Sequence, residues 1–136
     1  MTKIFIDSNI FLYHATSDDP HHKASILLLN SLVYNHHLGL ISPYVINEVH
    51  YINIKKIGYQ KAKTVILNIF EIPRIQLIDL ILSTQDIKSI CRISSKYKLK
   101  TSDSYHAYYC KKLNIKTIAT FDTDFDKLPW LKLYSP

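Results

Sequence analysis

No apolar run in this sequence approaches the roughly 18 residues of a membrane-spanning helix, and the amino terminus enters a strand pattern without a basic-then-apolar leader. A cytoplasmic protein with no membrane association is therefore expected. Cysteine is scarce as well. Cys91 and Cys110 stand alone without metal-site spacing, and both are expected as reduced core thiols. With only two glycines and five prolines, no stretch is rich enough in these residues and serine to read as disordered. Internal repeats and low-complexity tracts are absent. Acids are the minority charge, 11 against 17 Lys and Arg, which leaves a net +6. The remaining picture is 136 residues, 47% hydrophobic and 21% charged. That length and balance predict a single folded domain over residues 1–136 with one core.

The stretch Lys3 to Tyr13 reads Lys-Ile-Phe-Ile-Asp-Ser-Asn-Ile-Phe-Leu-Tyr. Ile4, Phe5 and Ile6 form an unbroken apolar run, the pattern of a strand buried on both faces. Asp7 follows at once, where open α/β sheets place their ligands, beyond the carboxyl end of the strand. Ser8 and Asn9 turn the chain into a helix beginning near Ile10, because short polar side chains satisfy the free N–H groups of a first turn. Taken alone, Asp7 or Asn9 reads equally well as a simple cap.

The sequence Asp-Asp-Pro-His-His at 18 to 22 breaks that helix and starts a second. From Lys23 to Tyr34, the residues Ala24, Leu27, Leu28, Val33 and Tyr34 recur largely at helical spacing. Leu38 to Ile41 is a second short buried strand. Ser42-Pro43 opens the next helix, with serine at the cap and proline at the first helical position. Its buried stripe is Tyr44, Val45, Val49 and Ile52; Glu48 borders that stripe and can point to the sheet rim or to solvent. Gly58 ends this helix, and Tyr59 to Phe70 carries another with Val65, Ile66, Ile69 and Phe70 inward. Ile75 to Ile78 is an edge strand or an extended connection. Thr84 to Lys98 is helical, with Ile87, Ile90, Cys91 and Ile93 apolar. Asp103 leads into a helix from about Ser104 to Leu113. Lys116 to Thr120 is a strand that ends in the acids Asp122 and Asp124, and Leu131 to Tyr134 is a last strand. Strands and helices alternate throughout, which predicts an α/β fold with a mostly parallel sheet covered by helices.

In a parallel sheet all carboxyl ends face one way, so acids far apart in sequence converge in space. Asp7 and Asp122 end two strands, Asp103 starts a helix, and Glu48 lies on another. Three or four carboxylates together cannot all stay ionised near neutral pH without a compensating positive charge. A hard divalent cation supplies it, and oxygen-only ligands suit Mg²⁺ or Mn²⁺ better than zinc. With these acids drawn into one site, few remain to oppose the 17 bases. The expected result is an acidic pit in a basic surface that attracts a polyanion, with a plain solvated lysine-rich surface as the equal alternative on charge alone. Such a pairing suggests phosphodiester chemistry with a metal-activated water as nucleophile.

Four segments carry a family resemblance: Phe-Ile-Asp7-Ser-Asn9-Ile, Ser42-Pro-Tyr-Val-Ile-Asn-Glu48, Asp103-Ser-Tyr-His-Ala107 and Thr120-Phe-Asp122-Thr-Asp124-Phe125. In this order they resemble the successive motifs of PIN-domain ribonucleases, most closely toxins of VapC type, from Ile4 to about Leu128. The resemblance implies a three-layer α/β/α sandwich and a Mg²⁺- or Mn²⁺-dependent endoribonuclease acting on RNA. It further implies a cognate antitoxin that blocks the site, and a homodimer. Asp7, Glu48, Asp103 and Asp122 match the acidic quartet, and Asp124 a further acid near the metal. Asn9 and Thr120 match polar residues that position the carboxylates or the scissile phosphate. Ser104 stands where many members carry alanine.

Other readings stay open at this stage. A PIN-like module could hold RNA or a protein without cutting it, although a scaffold has no need for converging carboxylates. Phosphatases of the haloacid-dehalogenase type also carry an aspartate after their first strand, but they resemble Asp-x-Asp where this chain has Asp7-Ser-Asn9. His106, one helical turn from Asp103, is expected to be packed or solvent-facing rather than in contact with Asp103 or RNA. His21-His22 and His36-His37 read as surface pairs, since adjacent helical residues point apart. Tyr105, Tyr108 and Tyr109 are expected in packing before base stacking, and Trp130 as a core or edge anchor.

Overall fold

The computed structural model describes residues 1–136. Five strands form one sheet in the order β3-β2-β1-β4-β5, with β1 at Lys3–Ile6, β2 at Leu38–Ile41, β3 at Ile75–Leu77, β4 at Thr117–Ala119 and β5 at Lys132–Leu133. All four pairings are parallel, so the sheet has no antiparallel member. Phe5 pairs with Leu40 on one side and Ile118 on the other, which makes β1 the central strand. Ile4, Phe5 and Ile6 are each 0% exposed, as a strand covered on both faces requires.

Helices α1 (Ser8–His14), α2 (His22–Tyr34) and α3 (Pro43–Ile69) connect β1 to β2 and β2 to β3, while α4 (Thr84–Tyr97) and α5 (Thr101–Lys112) connect β3 back to β4. Right-handed crossovers put the first three on one face and the last two on the other. The result is a three-layer α/β/α arrangement around a core of 26 buried residues. No helix is long and apolar enough to cross a membrane.

Local signals explain most boundaries. The Ser42 side chain accepts from Val45 N–H with Pro43 at the first helical position. Gly58 interrupts α3 at φ 82 and ψ 171, a conformation that only glycine adopts readily, so the chain turns there and resumes as helix to Ile69. Ser83 and Asp86 form a reciprocal capping box at the start of α4. Ile75–Leu77 is a true edge strand, paired with β2.

Several expectations are corrected. Helix α5 starts at Thr101, three residues before Ser104, because Lys100 is extended and serves as the cap residue without a side-chain bond. On α2 the buried stripe is Ser25, Leu28, Leu29 and Leu32, whereas Leu27, Val33 and Tyr34 are exposed; apolar residues around most of the helix had left its phase undefined. Phe70, expected inward, caps α3 and is exposed. Cys110 is a buried thiol, but Cys91 lies on the exposed side of α4. The last strand is shorter than Leu131 to Tyr134.

Candidate functional site

The carboxyl ends of β1 and β4 open onto one crevice, and the acids gather there. Asp7 leaves β1 almost fully buried, at 3% exposure. Its amide donates to Ala119 O at 3.0 Å and so continues the β1–β4 ladder to the rim. One carboxylate oxygen accepts from Ser8 N–H at 2.7 Å, and the other accepts from the Thr120 hydroxyl at 2.7 Å. Asp7 therefore caps α1 and also lines the acidic crevice.

Thr120 is fully used. Its oxygen donates to Asp7 while accepting from Asn9 Nδ2 at 3.1 Å and from Asp122 N–H at 3.0 Å. Asn9 Oδ1 accepts from Phe121 N–H at 3.3 Å. This network ties the turn after β1 to the turn after β4 and fixes the Asp7 rotamer. Asp122 accepts from Asp124 N–H at 2.8 Å, and so caps the short 3₁₀ turn Thr123–Lys127. Asp124 is half-exposed and paired with Lys127 at 3.5 Å. Asp126 is an exposed residue of that turn.

Asp103, in the first turn of α5, is the hub. Carboxylate atoms of Asp103, Asp122 and Asp124 lie within 4.8 Å of one another, as do ligand atoms of Asp7, Asp103 and His106. Asp103 Oδ2 is buried without a hydrogen-bond partner. Glu48 stands outside those triplets. Ser8 Oγ donates to Glu48 Oε1 at 2.5 Å, and His106 Nε2 lies 3.5 Å from both Glu48 Oε1 and Asp7 Oδ1. At that distance the imidazole acts as a nearby charge rather than a hydrogen-bond donor.

Electrostatics follow from this crowding. Burial, then the charges of Asp7, Asp122 and Glu48, push the Asp103 carboxyl up to about 7, against the pull of His106. Burial also raises Asp7, although His106, Thr120 and Ser8 N–H act the other way. For Glu48, burial opposes ionisation, but His106 and the Ser8 hydroxyl outweigh it and lower the pKa. Burial likewise opposes a charge on His106, and the adjacent carboxylates of Glu48, Asp7 and Asp103 overcome it, so its pKa is raised. The site favours positive charge wherever it can be placed. An orphaned carboxylate oxygen among mainly carboxylate donors, with the unpartnered ring nitrogens of His106 beside it, fits a hard divalent cation.

All seven residues singled out in the sequence lie at this rim. Two others were missed. Ser8 was read only as part of the helix start, yet it holds Glu48. His106 is packed, at 0% exposure, but the face on which it packs is the acidic one. The signal was its spacing of three from Asp103, which puts both side chains on one side of α5.

Comparison with known proteins bears on the same segments. The model of the PIN domain family matches residues 4–131. Ribonuclease VapC2 of Methanocaldococcus jannaschii is 31% identical over 144 residues, covering 96% of this chain and 92% of that protein. Among solved structures, VapBC2 of Rickettsia felis bound to a DNA fragment from its promoter superposes with a TM-score of 0.73 at 21% identity, over 98% of each chain. VapC20 of Mycobacterium tuberculosis, a Sarcin-Ricin loop cleaving toxin, has a TM-score of 0.73 at 14% identity, over 94% of this chain and 96% of that one. At these identities the solved structures establish the fold.

Proposed function

The chain belongs to the PIN domain family, and from that premise we propose that it is an endoribonuclease, the toxin of a toxin–antitoxin pair, using Mg²⁺ or Mn²⁺ to hydrolyse RNA phosphodiester bonds. Cytoplasmic action, a cognate antitoxin protein and a homodimer belong to the same proposal. The observation that carries it is the convergence of Asp103 with Asp122 and Asp124 on one side and with Asp7 and His106 on the other, with one Asp103 oxygen left unpartnered. The name of the 31% identical relative, a ribonuclease, supports it.

In this reading Asp7, Glu48, Asp103 and Asp122 are the catalytic acids. Asp103, Asp122 and Asp124 form one set able to hold an ion and Asp7, Asp103 and His106 another, with Glu48 outside both. When bound, the cation supplies Lewis acidity toward the phosphate and lowers the pKa of water. The chain supplies position. Thr120 and Ser8 N–H fix the Asp7 carboxylate, Asn9 fixes Thr120, and Ser8 Oγ fixes Glu48. His106 offsets negative charge between Asp7 and Glu48 from a fully buried position. Mg²⁺ and Mn²⁺ are preferred because the donors are chiefly carboxylates, without thiolates.

The test is cleavage of a structured RNA by the purified protein in Mg²⁺ or Mn²⁺, with EDTA and Asp7→Asn controls. Cutting that requires the ion and is lost in the folded variant is expected. A folded protein that neither cuts RNA nor binds Mn²⁺ would instead be a binding module built on the same fold.

A further inference from the structure

Away from the acidic crevice, the face where α4, α5 and the chain after the 3₁₀ turn meet carries charge of the opposite sign. Arg92, Lys96 and Lys111 line a cavity of about 310 Å³ there, together with Tyr97 and Trp130. Lys111 and Trp130 also line an adjoining cavity of about 610 Å³, to which Lys116 and Lys132 contribute. No acid lines either cavity. Nor is any of these five cations in an ion pair, since the lysine–carboxylate pairs of the protein are Lys112–Asp86 and Lys127–Asp124. Like charges gathered along a groove repel one another, and a polyanion relieves that repulsion while releasing its own counterions.

The aromatic residues narrow the class of polyanion. Trp130 Nε1 donates to Ala107 O at 3.1 Å, which anchors the indole on α5. Tyr97 packs edge-on to it at 5.6 Å between centroids, and Lys111 Nζ lies 4.6 Å from the indole centroid. A half-buried, anchored indole ringed by cations is the arrangement by which single-stranded nucleic acid is held: backbone on the charges, a base on the ring. An acidic peptide would use the cations and leave the rings idle.

Position agrees with this. Lys111 stands eight positions after Asp103 on α5, about 12 Å further along the helix axis toward the start of β4, a distance that roughly three to four nucleotides span at the 3.4 Å spacing of a stacked strand. The chain from Asp122 through the 3₁₀ turn to Trp130 connects the crevice to the groove, which lies toward the amino ends of β4 and β5 where Lys116 and Lys132 stand. We infer that the groove centred on Trp130, Lys111, Arg92 and Lys96 holds the single-stranded RNA flanking the phosphate presented to the acids. The RNA identity of the strand rests on the nuclease reading; the groove itself rests on its own charges and rings.

Trp130 is the sole tryptophan and reports on the groove directly. A 12-nucleotide oligouridylate is titrated into the Asp7→Asn protein in EDTA, where nothing is cut, and tryptophan fluorescence is followed at several salt concentrations. Quenching is expected, with binding that weakens as salt rises. The variant Arg92→Gln/Lys96→Gln/Lys111→Gln should bind about tenfold or more weakly and lose about 2 from the slope of log affinity against log salt, three contacts at roughly 0.7 each. A control, Lys55→Gln/Lys61→Gln/Lys63→Gln on the exposed side of α3, removes the same net charge and should change little. Equal losses in the two triple variants would overturn the inference, as would unquenched Trp130 on saturation. Poly-glutamate quenching as strongly as the oligonucleotide would also overturn it, in favour of an acidic protein partner. RNA cleavage by the unmodified protein without quenching removes the groove and keeps the nuclease; groove-dependent quenching in a protein that never cuts does the reverse.

Discussion

Asp103→Asn is expected to make the protein more stable in EDTA while removing its activity, because the carboxyl that anchors the site is ionised against its surroundings. The Asp103 carboxyl is raised from 3.8 to about 7 by burial and by the charges of Asp7, Asp122 and Glu48. At roughly 1.4 kcal/mol per decade of proton affinity, holding it ionised costs the native state at most about 4 kcal/mol. Asp103 borders the half-exposed Asp122 and Asp124, so water and salt screen part of this, and a gain of about 1–2 kcal/mol is the realistic size. The sign follows from proton binding. Between about pH 4 and 7 the native state holds a proton that the unfolded chain has released, so wild-type stability falls as pH rises through this window and levels off above it. Asparagine keeps the shape and removes the charge. Thermal melts at pH 8 in EDTA should place the variant about 4–8 °C above wild type, and the difference should shrink toward pH 4. Mn²⁺ should then raise the wild-type melting temperature more than that of the variant. A variant that melts at or below wild type at pH 8 in EDTA refutes the reasoning, since it would mean that the carboxyl is not repelled by its neighbours.

Two further perturbations address the support of the site and the backbone. Thr120→Val keeps the side-chain volume but deletes the hydroxyl that donates to Asp7 and accepts from Asn9 and Asp122 N–H. Loss of such a support should lower RNA cleavage about 10- to 100-fold while circular dichroism stays unchanged; full activity would show that Asp7 is held without it. Gly58→Ala places a Cβ in open space, with nothing within 4 Å, at φ +82. Its whole cost is therefore backbone strain, about 1–3 kcal/mol, read as a lower urea midpoint, and an unchanged midpoint would show that α3 can straighten through this position.

How much was legible depended on whether a residue's neighbours could be inferred from local pattern. Asp7 and Asp122 could be placed because each follows a short apolar strand, and parallel strands put their carboxyl ends together. Asp103 could be placed as a first-turn acid even though the start of α5 was misjudged by three residues. His106 could not. Asp103, Ser104, His106, Ala107, Tyr108, Tyr109 and Cys110 are all buried, so α5 has no polar face from which to read its phase. Glu48 was caught only as an acid bordering a stripe, and its links to Ser8 and His106 cross 40 and 58 positions of sequence.

The sequence by itself determined the alternation of strands and helices, the central buried strand, the breaks at Gly58 and before Thr84, and the set of acids at strand ends, because these follow from local propensity, capping and hydrophobic period. Tertiary structure alone decided which of those acids touch. It set Asp103 between Asp122 and Asp124 on one side and Asp7 and His106 on the other, turned Ser8 toward Glu48, exposed Cys91, and gathered unpaired cations around Trp130. Those outcomes depend on helix phase and on crossover packing between segments distant in the chain. No local pattern encodes either, since both are settled only when the apolar faces of α3, α4 and α5 close over the sheet.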